Sequence, residues 1–289
     1  MTPHDFDFLR RLLKERSGLV LSAEKDYLLE SRLLPLARRN GMTTLGELAT
    51  RLRQPGSTTL AIAVTEAMTT NETFFFRDRI PFDHLRDTMI PALVTARARE
   101  KRIRIWCTAA ASGQEPYSIA MVLKSLGAQL QGFRVDILAT DLSADVIERA
   151  KAGLYSQFEV QRGLPIQLLV KYFSKSGDAW EIAPELRGMV QFRTLNLLND
   201  FTPLGQFDIV FCRNVLIYFD QPTKSGVLER LARQIPDDGY LTLGAAETVV
   251  GLTDCLMPVP EKRGLYMPAE PARRAPAVGG NVTRFALKA

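Results

Sequence analysis

Three polar side chains follow apolar, strand-like runs of the chain. Glu115 comes after the run 103–107 and a loop of small residues over 108–113. Asp141 ends the run 134–140, and Asn214 follows the run 207–212. Ligands of open α/β sheets bind at the carboxyl edge of the parallel strands. The three side chains therefore predict one ligand site at that edge.

The small-residue loop indicates which ligand this site would take. It lacks the G-x-G-x-x-G spacing and the lysine of phosphate-binding loops, and it precedes a helical pattern that Pro116 opens as the first residue. An acid such as Glu115 suits a ligand with positive groups, for example the sulfonium and ammonium of S-adenosylmethionine. A generic strand-to-helix turn remains the alternative.

Asp141 allows two interpretations. An acid at the end of the second strand of a doubly wound sheet commonly accepts hydrogen bonds from the two ribose hydroxyls of a nucleoside. The alternative is an N-cap for the helical segment 142–152, a position for which Ser143 competes.

The pattern of helices and strands predicts the elements that position these residues. Residues 1–65 show helical periodicity without strands, and residues 66–90 link them to an α/β domain over 91–267. The segment 153–189 is too long for a simple loop and predicts a small inserted subdomain near 165–190. The tail 268–289, rich in Pro, Ala, Gly and Arg, is expected to be disordered.

Composition excludes several functional classes. Hydrophobic content of 46% and charged content of 24% are ordinary for a soluble globular protein. Three cysteines without metal-type spacing and only two histidines argue against a metal site and a His-based triad. The net charge of +5 falls partly in the tail, which disfavours nucleic acid as a partner. Without a signal-like N-terminus or a membrane-length apolar run, we expect a cytoplasmic protein with no direct membrane insertion.

Five blocks of the sequence resemble the CheR family of chemotaxis-receptor glutamate methyltransferases. Met68–Arg77 is similar to its T-x-N-x-T-x-F-F-R signature, and Ala110–Ala120 is similar to its S-x-G-x-E-P-Y-S-I-A loop. The later blocks are Ala139–Ser143, Asn196–Leu198 and Cys212–Phe219. The resemblance covers about residues 1–268. Ala111 stands where the family usually has Ser and Gln114 where many members have Glu, so we expect a mild effect on cofactor affinity.

The resemblance implies a fold and an activity. The fold would be a doubly wound, Rossmann-like α/β methyltransferase domain with a small N-terminal helical domain and a small antiparallel β insertion. The activity would be methyl esterification of chemoreceptor glutamates by S-adenosylmethionine, without metal, in chemotactic adaptation. Other possibilities are a non-catalytic cofactor-sensing or scaffold module, and a methyltransferase for nucleic acid or a small molecule.

The family's functional residues carry over onto matching positions. Arg77 and Tyr218 would be catalytic, Arg77 by orienting a carboxylate and Tyr218 by placing its hydroxyl near the transferred methyl. For Tyr218, and for at least two of Phe74–Phe76, core packing is the alternative. The implied cofactor contacts are Asn71, Thr73, Arg77, Glu115, Asp141, Asn196, Leu197, Asn214 and Val215.

The substrate would be the cytoplasmic domain of a chemoreceptor. Arg32, Arg38 and Arg39 on the second predicted helix would dock on its acidic helices, with a solvated helix face as the alternative. Some family members bind a receptor C-terminal pentapeptide through a loop of the β insertion. The corresponding segment here, Phe173–Trp180, is shorter than in the tethered members, so we expect an enzyme that works without this tether. The alternative to a peptide-binding loop at this segment is an ordinary hairpin. We also expect a monomer.

Overall fold

Four helices form the N-terminal unit in the computed structural model, which describes residues 2–269. They are α1 (Pro3–Ser17), α2 (Asp26–Arg39), α3 (Leu45–Leu52) and α4 (Thr58–Ala67). Thr2 and Asp5 form a capping box at the start of α1. The helices bury leucines such as Leu9, Leu13 and Leu33 in a core of their own. Helix α2 continues through Pro35 to Arg39, so Pro35 does not end it.

An irregular segment over 68–79 leads from α4 to α5 (Ile80–His84) and α6 (Ile90–Ala96). Leu85–Met89 joins these two helices as a wider π-helical turn. Phe76, Asp78 and Arg79 have positive φ angles of 53°, 67° and 51°. Such a run is unfavourable for residues with a Cβ and marks a segment that its surroundings hold in place.

The α/β domain begins with two parallel strand-and-helix repeats. They comprise β1 (Arg102–Cys107), α7 (Gln114–Ser125), β2 (Arg134–Asp141) and α8 (Ala144–Ala152). Alternate residues of β1 face opposite cores: Ile103 and Ile105 pack with α7, whereas Trp106 packs with residues near the end of the chain. This period of two is the expected pattern of a strand that is buried on both faces.

The predicted insertion follows α8. It contains β3 (Leu154–Ser156), α9 (Gln157–Gln161), α10 (Ile166–Tyr172), β4 (Phe173–Ser176) and β5 (Ala179–Ile182). The three strands form an antiparallel sheet in the order β3-β5-β4. Gly177 and Asp178 alone connect β4 to β5, so the segment Phe173–Trp180 is a tight hairpin.

The chain then completes the main sheet with α11 (Pro184–Arg187), β6 (Val190–Thr194), β7 (Ile209–Cys212), α12 (Gln221–Arg233), β8 (Tyr240–Leu243), β9 (Leu256–Pro258) and β10 (Leu265–Pro268). The strand order is β6-β2-β1-β7-β8-β10-β9. The first five strands are parallel, and β10 is antiparallel to both of its neighbours. The topology switches direction at β1, where α/β sheets place their ligands.

The predicted fold class is therefore confirmed: a doubly wound domain, an N-terminal helical unit and a small antiparallel insertion. Within residues 2–269, no helix is both long enough and apolar enough to cross a membrane. The predicted start of the disordered tail at residue 268 is wrong, because Pro268 ends β10 and Ala269 is buried. The rest of the predicted tail, from residue 270 onward, lies outside the described part of the chain.

Candidate active site

A pocket opens where β1, β2 and β7 end, between the sheet and the helical unit. Ser17, Leu19, Thr65 and Met68 of the N-terminal part form one wall. The pocket also contains every cofactor contact predicted from the sequence, together with Tyr218: Asn71, Thr73, Arg77, Glu115, Asp141, Asn196, Leu197, Asn214 and Val215. The structure thus brings together residues that are up to about half the chain apart in sequence.

The loop after β1 approaches the pocket with small side chains. Ala111 has a φ of 46° and Gly113 a φ of 94°. A Cβ on Gly113 would lie 3.0 Å from the Cβ of Ala150, so glycine is needed both for the backbone angle and for the close packing of α7 on α8. The sequence predicted Pro116 as the first residue of α7. This prediction is wrong, because α7 begins at Gln114 and Pro116 is its third residue.

The two departures from the family pattern differ in position. Ala111 lines the pocket, whereas Gln114 is buried behind it. The Gln114 side chain accepts a hydrogen bond from Ser112 at 2.8 Å. Only the change at Ala111 would therefore touch a bound ligand directly.

Asp141 organises the loop. Its carboxylate accepts the backbone N–H of Ala111 at 2.9 Å and that of Ser143 at 3.1 Å. Burial raises the pKa of Asp141, and these backbone amides oppose the rise. A carboxylate has about four acceptor sites, so two remain for a ligand hydroxyl or amine.

The N-cap alternative for Asp141 is not realised. Ser143 occupies the N-cap position of α8, without a side-chain hydrogen bond to the helix. The Glu66 carboxylate on α4 accepts the N–H of Ala144 at 2.8 Å instead. The helical unit therefore supplies the acid at the positive end of α8.

A buried guanidinium stands behind Glu115. Arg213 Nη1 lies 2.7 Å from Glu115 Oε2, and the side chains are 1% and 10% exposed. Arg213 Nη2 donates to the Asp78 carboxylate at 2.7 Å and to the Arg77 carbonyl oxygen at 2.9 Å. Burial raises the pKa of Glu115, and the Arg213 charge opposes that rise. Arg213 thus connects the end of β7 to both the loop after β1 and the signature segment.

Arg213 is a site residue that the sequence motifs do not predict. The available signal was a charged residue placed directly after four fully buried strand residues, Ile209–Cys212. A guanidinium at such a position is desolvated and needs acidic partners.

The signature segment holds Arg77 at the pocket. Arg77 Nη1 donates to the Glu72 carbonyl oxygen at 2.8 Å, and its guanidinium lies 5.7 Å from the centre of the Phe74 ring. Phe75 is fully buried against the rings of Tyr155 and Phe173, and Phe76 packs on Phe82. Core packing is confirmed for two of the three phenylalanines, which fixes the backbone that carries Arg77.

A second acid that the sequence reasoning missed, Glu247, shapes the loop after β7. Its carboxylate accepts the backbone N–H groups of Asn214, Val215 and Gly244 at 2.8, 3.0 and 2.7 Å. A Cβ on Gly244 would lie 2.7 Å from Glu247 Oε2, so glycine permits this approach. No periodicity or motif in the sequence around Glu247 signals this role.

The helical unit contacts the same loops from the other side. Asn196 Nδ2 donates to the Arg16 carbonyl oxygen at 2.5 Å, and the Tyr218 carbonyl oxygen accepts the N–H of Val20 at 2.9 Å. The Tyr218 side chain is half-buried and borders the core around Trp106. Within residues 2–269, its hydroxyl has no hydrogen-bond partner, which leaves it free to meet a ligand in the pocket.

The three arginines predicted to dock the substrate are not equivalent. Arg38 and Arg39 are exposed at the end of α2. Arg32 is half-buried and donates to the carbonyl oxygens of Met68 and Thr69 at 2.8 and 3.0 Å and to the Thr70 hydroxyl at 3.0 Å. Its grouping with the docking residues needs correction, because its guanidinium anchors the entrance to the signature segment.

The donor set of the pocket fits S-adenosylmethionine. Glu115 offers a buried carboxylate for the ammonium, Arg77 a guanidinium for the carboxylate, and Asp141 an acceptor for the ribose hydroxyls. Leu142, Leu197 and Val215 line the pocket with apolar side chains that an adenine could contact. Among the described residues, no group of three or more His, Cys, Asp or Glu is placed to hold a metal ion.

Comparison with known proteins gives matches over nearly the whole chain. Residues 4–69 match the family model "CheR methyltransferase, all-alpha domain", and residues 71–265 match "CheR methyltransferase, SAM binding domain". The chain is 43% identical over 257 residues to Chemotaxis protein methyltransferase 1 of Pseudomonas aeruginosa, covering 86% of this chain and 92% of the relative. It is 35% identical over 247 residues to the chemotaxis protein methyltransferase of Escherichia coli, covering 84% and 83%.

Proposed function

Since the chain belongs to the CheR methyltransferase family, we propose that it methylates glutamate side chains in the cytoplasmic domains of chemoreceptors. The protein is a methyltransferase with S-adenosylmethionine as its cofactor. The acceptor, the ester product and the role in chemotactic adaptation are the proposal. Its main support is one observation: Arg77 and Tyr218 line the same pocket as the two buried carboxylates Glu115 and Asp141.

Nine residues would hold the cofactor. Glu115 would pair with the ammonium and Arg77 with the carboxylate of the methionyl part, while Asp141 would accept from the ribose. Asn71, Thr73, Asn196, Leu197, Asn214 and Val215 would complete the contacts. Arg213 and Glu247 act one step behind them, since they position Glu115 and the loop that carries Asn214.

The reaction demands little acid–base chemistry of the protein. The cofactor supplies an electrophilic methyl group. A glutamate side chain, with a pKa of roughly 4.3, is already ionised at neutral pH. One of its oxygens would take the methyl group from the bound cofactor, whose carbon–sulfur bond would break and leave its electron pair on sulfur. No proton moves, so the protein needs to align the reactants and exclude water.

Arg77 and Tyr218 would provide that alignment. The Arg77 fork suits bidentate recognition of a carboxylate, that of the incoming glutamate as well as that of the cofactor. The free hydroxyl of Tyr218 would border the transferred methyl and keep the nucleophile in line. The partly apolar pocket favours the step, because opposite charges neutralise one another as the bond forms.

Substrate docking would use the exposed end of α2. Arg38 and Arg39 present positive charge without an intramolecular partner among residues 2–269, which suits the acidic methylation helices of a receptor. The two-residue hairpin at Gly177 and Asp178 offers little loop for a peptide tether, so we propose that the enzyme acts without a receptor pentapeptide. That it acts as a monomer is part of the same proposal. In this division of labour, residues 1–65 dock the receptor, residues 66–90 close the pocket, and residues 91–267 bind the cofactor.

The test is transfer of radioactive methyl from the cofactor to receptor-enriched membranes. We expect label on a receptor-sized band that is released by mild base, as a carboxyl methyl ester is. An Arg77→Ala variant is the negative control for the site. Base-stable label, or label on nucleic acid or a small molecule, would contradict the proposal.

A further inference from the structure

The mouth of the pocket holds an ion pair that is not part of the cofactor site. Arg162, in the turn between α9 and α10, has its Nη2 2.6 Å from Glu72 Oε1. The two side chains are 40% and 59% exposed. Glu72 lines the pocket and belongs to the signature segment, whereas Arg162 belongs to the inserted subdomain.

Two guanidiniums face one aromatic ring at this mouth. Arg162 lies 4.4 Å and Arg77 lies 5.7 Å from the centre of the Phe74 ring. Glu72 contacts both guanidiniums: its side-chain carboxylate pairs with Arg162, and its backbone carbonyl oxygen accepts a hydrogen bond from Arg77. Within residues 2–269, the Glu72 carboxylate thus pairs with Arg162 alone, and Arg162 is the guanidinium beside Phe74 that the cofactor site does not use.

The position of Arg162 is built into the backbone. Its neighbour Gly163 has a φ of 81°, and a Cβ there would lie 2.1 Å from the Phe75 carbonyl oxygen. Only glycine lets the turn pack this closely on the signature segment. Arg162 is therefore held beside the pocket, and its guanidinium is presented there on a fixed turn.

We propose that Arg162 positions the acceptor glutamate. Before the acceptor binds, the Glu72 carboxylate occupies the Arg162 guanidinium, and the acceptor carboxylate displaces it. The inference deepens the proposed function and rests on it. Glu72 is itself a glutamate carboxylate at the mouth of a glutamate methyltransferase pocket. An exposed ion pair contributes little stability, so exchange of one carboxylate for another at the same guanidinium is nearly balanced. The Arg162 contact keeps the pKa of Glu72 below its usual range, so Glu72 competes as an anion.

The proposal makes opposite predictions for the two partners. Arg162→Gln removes the guanidinium, and the KM for the receptor should rise about two- to fivefold, the usual range for one exposed charge pair. Glu72→Gln removes the competitor, and the KM should fall by about twofold. In the double variant the benefit of Glu72→Gln should disappear, because it acts only through Arg162.

The experiment measures initial rates of methyl transfer to a receptor cytoplasmic fragment, with cofactor binding to each variant measured by calorimetry. Glu185→Gln is the matched control, because Glu185 forms an exposed pair with Lys124 at 3.0 Å between two elements outside the pocket. Arg162→Lys should raise the KM for the receptor less than Arg162→Gln does, because Lys keeps a positive charge. A purely structural pair would lower kcat and cofactor affinity in both single variants.

The outcomes separate the two proposals. If the wild-type protein binds cofactor but does not label the receptor, the proposed function fails, and this inference fails with it. If the wild-type protein labels the receptor but Glu72→Gln raises the KM or leaves it unchanged, the exchange of carboxylates is refuted and the proposed function stands.

Discussion

Replacement of Arg213 by Met tests the buried charge network most severely. Arg213 is 1% exposed and forms ion pairs with Glu115 and Asp78. Asp78 is 36% exposed and would return to water. Glu115 would keep its burial and lose the guanidinium that donates to it, leaving only the weaker influence of the Arg77 charge. Breaking a buried pair from one side typically costs about 3–5 kcal/mol, and we expect a loss of about 3 kcal/mol in the free energy of unfolding at pH 8.

The loss should depend on pH. Burial raises the pKa of Glu115, and without Arg213 less positive charge opposes the rise, so the folded-state pKa lies further above the unfolded value. At pH values above this folded-state pKa, Glu115 is charged in the folded protein and its burial destabilises the fold. As the pH falls through the raised folded pKa, Glu115 becomes neutral and the penalty is relieved. The difference between wild type and variant should therefore be smaller at pH 5.5 than at pH 8. Met retains the apolar bulk, which limits any contribution from a cavity.

Urea denaturation at pH 5.5 and pH 8 measures the free energy of unfolding of the wild type and of the variant, provided that unfolding is two-state. The double variant Arg213→Met with Glu115→Gln should recover most of the stability, because residue 115 then carries no buried charge that needs a guanidinium partner. It should not recover cofactor affinity, which needs the Glu115 charge. An equal loss at both pH values, or no recovery in the double variant, would refute the assigned coupling between Arg213 and Glu115.

Three other predictions concern the cofactor, the transfer step and docking. Asp141→Ala should weaken S-adenosylmethionine binding about tenfold or more, since two hydrogen bonds of about 1 kcal/mol each are lost. Because burial raises the pKa of Asp141, wild-type affinity should also fall as the pH decreases through that raised pKa; unchanged calorimetric affinity in the variant would contradict the ribose role. Arg77→Ala should lower kcat more than cofactor affinity, with Lys restoring only part; equal losses in both would make Arg77 a cofactor ligand only. Reversal of Arg38 and Arg39 to Glu should lower kcat/KM for the receptor about tenfold at low salt and less at high salt, since exposed charges are screened within about 10 Å at 0.1 M salt. Calorimetry with the receptor's C-terminal pentapeptide should show no binding, and micromolar affinity would refute independence from the tether.

The sequence predicted the sheet and the location of the pocket because both depend on local patterns. Apolar runs end at Cys107, Asp141 and Cys212, and the parallel topology brings those ends together. The motif residues Glu115 and Asn214 therefore lie in one pocket, as expected.

The supporting residues were missed because their partners are distant in sequence. Arg213 pairs with an acid 98 positions earlier, and Glu247 accepts amides from residues about 30 positions earlier. Arg32 was grouped with Arg38 and Arg39 because all three are basic residues of one helix. Only the packing of α2 beside residues 68–70 separates their roles.

Peptide mapping of a methylated receptor fragment shows whether the pocket transfers methyl groups to receptor glutamates. After incubation with S-adenosylmethionine, we expect peptides that carry one methyl ester on specific glutamate residues. The modification should be lost in mild base and absent with Arg77→Ala. Methylation on another residue type, or bound cofactor with no modified glutamate, would contradict the account.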